Sequence, residues 1–325
     1  MRAVTLRGYG GPEVLSIDAV ADPRPPAGWV VVELRAAALN WHDCLVRRGQ
    51  YPRTPPVVPG ADGAGVRRDT GEEVVILPSL GWGTDDRAPA EGFEILGDRT
   101  NGTHAELVAV PEENVVRRPR GWSWGDAAAL PLVGLTAHRA LFRRGGLRSG
   151  DRVLVLGAGG GVATTTVALA ARSGARVAVT SSTREAIDTA VALGADGGVS
   201  YEDADWPMHA RDAFAPEGFD LVIDPVGSWE PALAALRPGG RLVTFGAKAA
   251  DRATVAIRPF YFAQASILGT TMGSPRDFAD LLAWVERNPG WRPLVDRVLP
   301  LDRIADAHRA LEAGGVRGKV VLEAA

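Results

Sequence analysis

The chain has 325 residues, 46% hydrophobic and 23% charged, with a net charge of −3 and a single cysteine, Cys44. A balance so near neutrality leaves no basic footprint for nucleic acid or an anionic membrane, and one thiol builds neither an internal disulfide nor a cysteine-rich zinc site. The opening "MRAVTLRGYGGPEVL" lacks the apolar run of a signal peptide and no later window approaches a membrane span, so the expectation is a cytoplasmic protein of two domains.

In chain order, residues 1–122 carry short β-rich runs broken by Gly and Pro: "WVVVELRAAALN", "EEVVILPSL" and "HAELVAVPEENVV". This texture predicts an irregular β-domain. Residues 123–266 alternate apolar runs with amphipathic segments, through "DRVLVLGAGGGVATTTVALAARSGARVAVTSST", "AIDTAVALGAD", "FDLVIDPVG" and "RLVTFGA". Such alternation predicts βαβ units with right-handed crossovers and a doubly wound parallel sheet, an α/β fold. Residues 267–325 hold one helical stretch, "PRDFADLLAWVERN", and a final strand, "KVVLEA".

The most informative local feature is "VLVLGAGGGVATTTVALAARSG", a buried strand running into a Gly-rich turn that opens a helix. Ala158, Gly160 and Ala163 fit a dinucleotide-binding pattern, with Gly157, Gly159 and Gly161 as further permissive positions and Val162 entering the helix. Small residues let backbone approach a pyrophosphate, which the helix N-terminus attracts through free N–H groups. A tight structural turn is the alternative. About 20 residues on, where an NAD enzyme places an acid on the ribose, the chain reads Thr180, Ser181, Ser182. Hydroxyls there, with Arg184, favour the 2′-phosphate of NADP(H), unless Ser182 or Thr183 merely caps the next helix.

Together these residues resemble the medium-chain dehydrogenase/reductase superfamily, in its quinone oxidoreductase-like and zinc-type alcohol dehydrogenase-like branches. The resemblance runs through "GPEVL", "AAALNWHDCLVRRGQYP", "VPGADGAGV", "GTHAELVAVP", "AALPLVGLTAHRAL", "VLVLGAGGGVA", "LGAD", "LRPGGRLVTFGA" and "GKVVL". It implies a GroES-like catalytic domain over 1–122, a Rossmann NADP-binding domain over 123–266, and a C-terminal segment, 267–325, completing the catalytic domain. Zinc members take a Cys from the segment matching "NWHD", a His from the one matching "GADGAG" and a third ligand near "PLVGLTAH". Here those places hold Asn40, Ala61 and the apolar run from Pro131 to Gly134, and the matching structural-zinc loop has no cysteine. The expectation is a member without a catalytic metal.

The resemblance further implies that Asn40, Thr136, Gly246 and the stretch containing Thr270, Thr271 and Met272 lie near the nicotinamide. It implies that Lys319 reaches the pyrophosphate and Tyr201 covers the adenosine phosphate. Two departures are Leu45, where related reductases often carry Tyr, and Ala186, where they carry Lys. His42 stands where zinc alcohol dehydrogenases place a Ser or Thr proton relay; it either serves a substrate oxygen or packs with Trp41. Asp43 and Asp62 are expected to support the site through hydrogen bonds, and Cys44 to behave as a small buried hydrophobe. Trp82, Trp122 and Trp124 either plug joints or line a substrate wall.

Without a Lewis acid, hydride addition favours an acceptor that delocalises its own charge, such as an enone, an enoyl thioester or a quinone. The expected function is therefore NADPH-dependent reduction of such a small molecule. A metal-free alcohol or carbonyl dehydrogenase and a non-catalytic NADPH-binding redox sensor are the alternatives. The apolar, β-prone "RATVAIRPFYFAQASILGTT" predicts a sheet edge shared across a homodimer.

Overall fold

The computed structural model describes residues 1–51 and 54–324; Pro52, which ends the "AAALNWHDCLVRRGQYP" motif, lies outside them. The chain divides into two units, Met1–Leu135 with Gly273–Ala325, and Thr136–Met272.

The first unit is built around the strand Trp29–Leu39. Its first half alternates as a half-buried strand should, sending Val30, Val32 and Leu34 into a core with Val74, Ile76, Val108 and Val110. The register shifts between Leu34 and Ala36, and three consecutive alanines follow. Ala36 and Ala38 face the alanines of the helix Trp124–Ala129, while Ala37 and Leu39 face a second core with Ile304, Ala307 and Leu322. Alanine on both faces lets a helix approach closely on one side without a cavity on the other. The sheet runs Val295–Pro300, Lys319–Glu323, Trp29–Leu39, Asp62–Arg67, Glu73–Ile76, Val115–Arg117, with Leu107–Pro111 also paired to Trp29–Leu39.

The helix Trp124–Ala129 moves the boundary. Sequence texture assigns residues 123–135 to the second domain, but the alanine contacts above seal this helix onto the first unit's sheet. The tryptophans act similarly. Trp291 meets Trp122 at 5.9 Å and Trp284 at 5.3 Å between ring centroids, and Arg292 lies over Trp122. They join the C-terminal segment to the N-terminal one, as joint-plugging residues.

The second unit is a six-stranded parallel sheet in the order Gly197–Ser200, Arg176–Ser181, Arg152–Val155, Phe219–Asp224, Leu236–Thr244, Ser266–Gly269. The chain starts at Arg152–Val155, winds to one edge, then returns and winds to the other, so a switch point lies between Arg152–Val155 and Phe219–Asp224. The last strand extends this unit beyond the expected boundary at 266.

The β-prone run near residue 260 is only partly strand. Ile257–Phe262 is helical, and the edge strand is confined to Ser266–Gly269. Pro259 explains the change, since its missing N–H would break a ladder but costs nothing in a first helical turn. The helices Trp41–Arg47, Trp206–Phe214 and Ile304–Glu312 and the strand Val295–Pro300 are too short for their periodicity to stand out in sequence.

Trp291 sits at the centre of the aromatic joint and is 4% exposed. Trp291→Ala is expected to cost about 3–5 kcal/mol, read as a fall in the urea midpoint at unchanged slope.

Candidate active site

The register of three neighbouring strands assembles the polar centre of the first unit. Ala38 pairs with Asp62, and Leu39 pairs with Val320, so Asn40, Asp62 and Lys319 emerge side by side. Lys319 Nζ donates to Asp62 Oδ2 at 2.9 Å and to Asn40 Oδ1 at 2.5 Å, and Asn40 Nδ2 donates to Asp62 Oδ2 at 2.9 Å. The other Asp62 oxygen accepts from the Leu132 N–H at 2.8 Å. Asn40 also begins the helix Trp41–Arg47, its N–H donating to Asp43 Oδ2 at 2.7 Å. Burial pushes the Asp43 carboxyl up to about 6, against the opposing pull of His42, the Asn40 N–H and Lys319.

This arrangement corrects the expectation for Lys319. Its side chain is 3% exposed and its ammonium is held between Asn40 and Asp62, so it is a buried ion-pair partner rather than a free cation reaching a pyrophosphate. Asn40 is correspondingly engaged; its one weak bond is the 3.4 Å contact from Nδ2 to the Ala38 carbonyl. The donor set does not fit a catalytic zinc ion. Asn40 faces an ammonium, Ala61 offers a fully buried methyl, and no cluster of three His, Cys, Asp or Glu side chains among the described residues could hold a metal.

His42 lies on the first turn of the same helix. Its Nε2 is 2.6 Å from Asp98 Oδ1, and its ring meets Tyr51 edge-on at 4.4 Å. Trp41, the expected packing partner, instead lies under Arg48. Sequence reading missed Asp98, whose position comes from a tied turn: Asp98 N–H donates to the Ile95 carbonyl, while Glu94 accepts from the Arg99 and Thr100 N–H groups and the Thr100 hydroxyl. Gly97, at φ +95°, lies so close to Gly60 that a Cβ would sit 2.8 Å from its nitrogen. The loop that carries cysteines in zinc members thus carries a carboxylate to His42 here. Trp82 in this loop is 2% exposed, packing on Phe93.

His104 and His308 are completely buried. His104 has both ring nitrogens unbonded among the described residues, and burial lowers it to about 3, assisted by Lys319. His308 meets Cys44 Sγ at 3.4 Å through Nδ1, and burial, His104, Arg47 and Arg48 lower it to about 2. Burial also pushes the Cys44 thiol up to about 12, so it behaves as an inert core group.

In the second unit the Gly-rich turn follows the central strand. Gly157, at φ +73°, donates to the Thr180 hydroxyl at 3.3 Å, and the Ala158 N–H donates to the Thr180 carbonyl, so Ala158 contributes small size rather than a donor. Gly160 precedes the helix Gly161–Arg172 with nothing within 4 Å of where a Cβ would stand, and no side chain caps that helix. Open backbone with uncapped N–H groups, contributed by Gly159, Gly161 and Val162 around this cap, fits a dinucleotide phosphate. Beyond the next strand, Ser181 is buried and accepts from the Thr183 N–H, while Ser182 is exposed. Thr183 caps the helix Arg184–Ala192. Arg184 is 82% exposed and paired with Asp188 at 2.7 Å, and Tyr201, half exposed, donates its N–H to the Ser181 carbonyl. At the other side of the sheet, Thr136 Oγ1 contacts Met272 Sδ at 3.9 Å, and the buried Thr270 hydroxyl has no bond among the described residues. Thr271 is exposed; Gly246 admits no side chain, since a Cβ would lie 1.9 Å from the Pro225 carbonyl oxygen.

Comparison with known proteins agrees with this architecture. The family described as alcohol dehydrogenase GroES-like domain matches residues 26–120, and that described as zinc-binding dehydrogenase matches 161–287. The chain is 32% identical to the 2-methylene-furan-3-one reductase of Solanum lycopersicum over 99% of its own length and 79% of that protein. It is 28% identical to the quinone oxidoreductase of Homo sapiens, covering 99% and 97%. A solved structure described as an NAD-dependent alcohol dehydrogenase is 39% identical over the whole of both chains, with a TM-score of 0.92. The chain belongs to the medium-chain dehydrogenase/reductase superfamily and is an oxidoreductase of that family.

Removing the ammonium alone strands a buried carboxylate. Lys319→Met is expected to cost about 3–5 kcal/mol, measured by urea unfolding, with part recovered when Asp62→Asn is added. The buried histidines set the acid limit. Their folded values lie below the ordinary 6.5, so the unfolded chain binds more protons as pH falls through that value and stability declines. Asp43, raised from 3.8 to about 6, opposes one of the two between those values. Chemical denaturation should therefore show stability falling by roughly 1.4 kcal/mol per pH unit between about pH 6 and 4; a flat profile would contradict the buried neutral imidazoles.

Proposed function

We propose that this protein is a zinc-independent, NADPH-dependent oxidoreductase that reduces an activated acceptor: an enone, an enoyl thioester or a quinone. The observation that carries the reading is the Lys319 ammonium bonded to Asn40 and Asp62, where zinc relatives need a thiolate. A fixed ammonium beside that position disfavours a dication, so the substrate must spread developing charge over its own conjugated system. The names of the tomato and human relatives, a furanone reductase and a quinone oxidoreductase, support acceptors of this type.

Residues 157–162 would hold the cofactor's phosphates, with Thr136, Gly246 and residues 270–272 toward its nicotinamide, and the bound cofactor supplies hydride. Ser182 stands exposed where an NAD enzyme places an acid, beside the exposed Arg184, which is paired with Asp188, and the half-exposed Tyr201; the missing acid at Ser182 favours the 2′-phosphate of NADP(H). Asn40 can turn the N–H of its long Ala38 contact toward a substrate oxygen, and His42 stands ready to donate a proton. A second reading, a metal-free alcohol dehydrogenase, draws on the 39% identical structure named for that activity with NAD. The unit's edge strand Ser266–Gly269, beside Ile257 and Phe262 at 76% and 71% exposure, favours a homodimer.

The test is NADPH consumption with 1,4-benzoquinone, an enone, an enoyl thioester and a simple ketone, in the presence and absence of a chelator. Turnover confined to conjugated acceptors and unaffected by chelation is expected; ketone reduction lost on chelation would overturn the reading. Ser182→Asp should shift the kcat/KM ratio toward NADH by roughly tenfold, through repulsion of the 2′-phosphate. Light scattering should return a dimer that Phe262→Asp dissociates.

A further inference from the structure

The His42–Asp98 pair does more than place a histidine near a substrate. Asp98 comes from a loop 56 residues further along the chain, and its Oδ1 takes the Nε2 side of the ring at 2.6 Å. Both side chains are largely buried, at 10% and 14% exposure. A carboxylate accepts, so the bonded nitrogen carries the proton in the neutral ring, and Nδ1 is the atom whose protonation changes. No described residue bonds Nδ1. The ring is also held edge-on by Tyr51 at 4.4 Å, which limits its rotation. The groups facing it are Asp98, Asp43 on the same helix and Tyr51.

We propose that Asp98 is a positioning residue that locks His42 with Nε2–H toward the carboxylate, so that the proton delivered to substrate leaves from Nδ1. The inference rests on the reductase reading above. As hydride from the reduced nicotinamide adds to the conjugated acceptor, the electron pair of its double bond moves onto the carbonyl oxygen. The His42 Nδ1–H bond then breaks and an O–H bond forms, the enol passing to its keto form in solvent; for a quinone the O–H product is the hydroquinone. The nicotinamide is oxidised, the acceptor is reduced, and the neutral ring regains its proton from water. Asp98 stays ionised throughout and stabilises the imidazolium before transfer.

The loop geometry makes the placement specific. Glu94 fixes the backbone at Arg99 and Thr100, and Gly97 and Gly102 each abut the Gly60 backbone, so Asp98 is carried on a turn with little room to shift. Asn at this position keeps the shape and removes the acceptor charge, and its amide can present an N–H to Nε2. That would favour the other tautomer, with the proton on Nδ1 of the neutral ring and a weaker tendency to form the imidazolium.

The test has two arms. Nitrogen-15 NMR of the intact protein, with the His42 signals assigned by their loss in His42→Ala, should show the Nε2–H tautomer in wild type and its depletion in Asp98→Asn. Steady-state kinetics with the best conjugated acceptor should show kcat lowered roughly 10- to 100-fold in Asp98→Asn with KM within about twofold, and the descending alkaline limb of kcat moved to lower pH. His42→Ala should lose as much or more, and the double variant no more than His42→Ala alone. An Nδ1–H tautomer in wild type, an Asp98→Asn enzyme with unaltered kcat and pH profile, or additive losses in the double variant would each overturn the proposal. The NMR arm needs no substrate: a wild type with the Nε2–H tautomer that reduces no acceptor sinks the reductase reading, and proton delivery with it, while the wrong tautomer in an active enzyme sinks the positioning role alone.

Discussion

The buried ion pair between Lys319 and Asp62, with Asn40 bonded to both, is the constraint on which the first unit's chemistry depends. Charges this deeply buried are tolerated only when paired and hydrogen-bonded. The register of three strands meets that condition, and Leu132 N–H and Asn40 Nδ2 satisfy the remaining carboxylate positions. The same arrangement commits Asn40 to a lysine. The position matching a metal ligand in zinc members is thereby part of the fold's internal hydrogen bonding. The cavity of about 480 Å³ lined by Val20, Arg24, Trp29 and Val57 is lined by none of Asn40, Asp62 and Lys319.

His42 is held separately from this ion pair. It lies on the helix whose N-cap residue, Asn40, donates its N–H to Asp43, and it meets a carboxylate from the loop packed on Gly60. The proposed reduction of a self-activating acceptor draws on a positioned acid–base group and on an open, uncapped helix start that suits a phosphate.

Much of this was legible in the sequence, and the reason for the remainder is distance along the chain. The parallel sheet follows from periodic βαβ segments, each of which declares itself locally. Lys319 could not be placed that way: it bonds a residue 279 positions earlier, and only strand register shows that its ammonium points at Asn40 rather than outward. Asp98 lies in a polar, Gly-containing loop whose composition fits many conformations. Its role emerges only where Gly97 meets Gly60. The helix Trp124–Ala129 misled the boundary because its small residues look alike whichever unit they pack against.

The Lys319 ammonium occupies the heart of the first unit, between Asn40 and Asp62. The most direct measurement is anomalous diffraction at the zinc edge from crystals grown with excess zinc chloride. No peak is expected within bonding distance of Asn40 or Asp62, with the Lys319 ammonium between them. A zinc ion bound there, with Lys319 displaced, would contradict this arrangement.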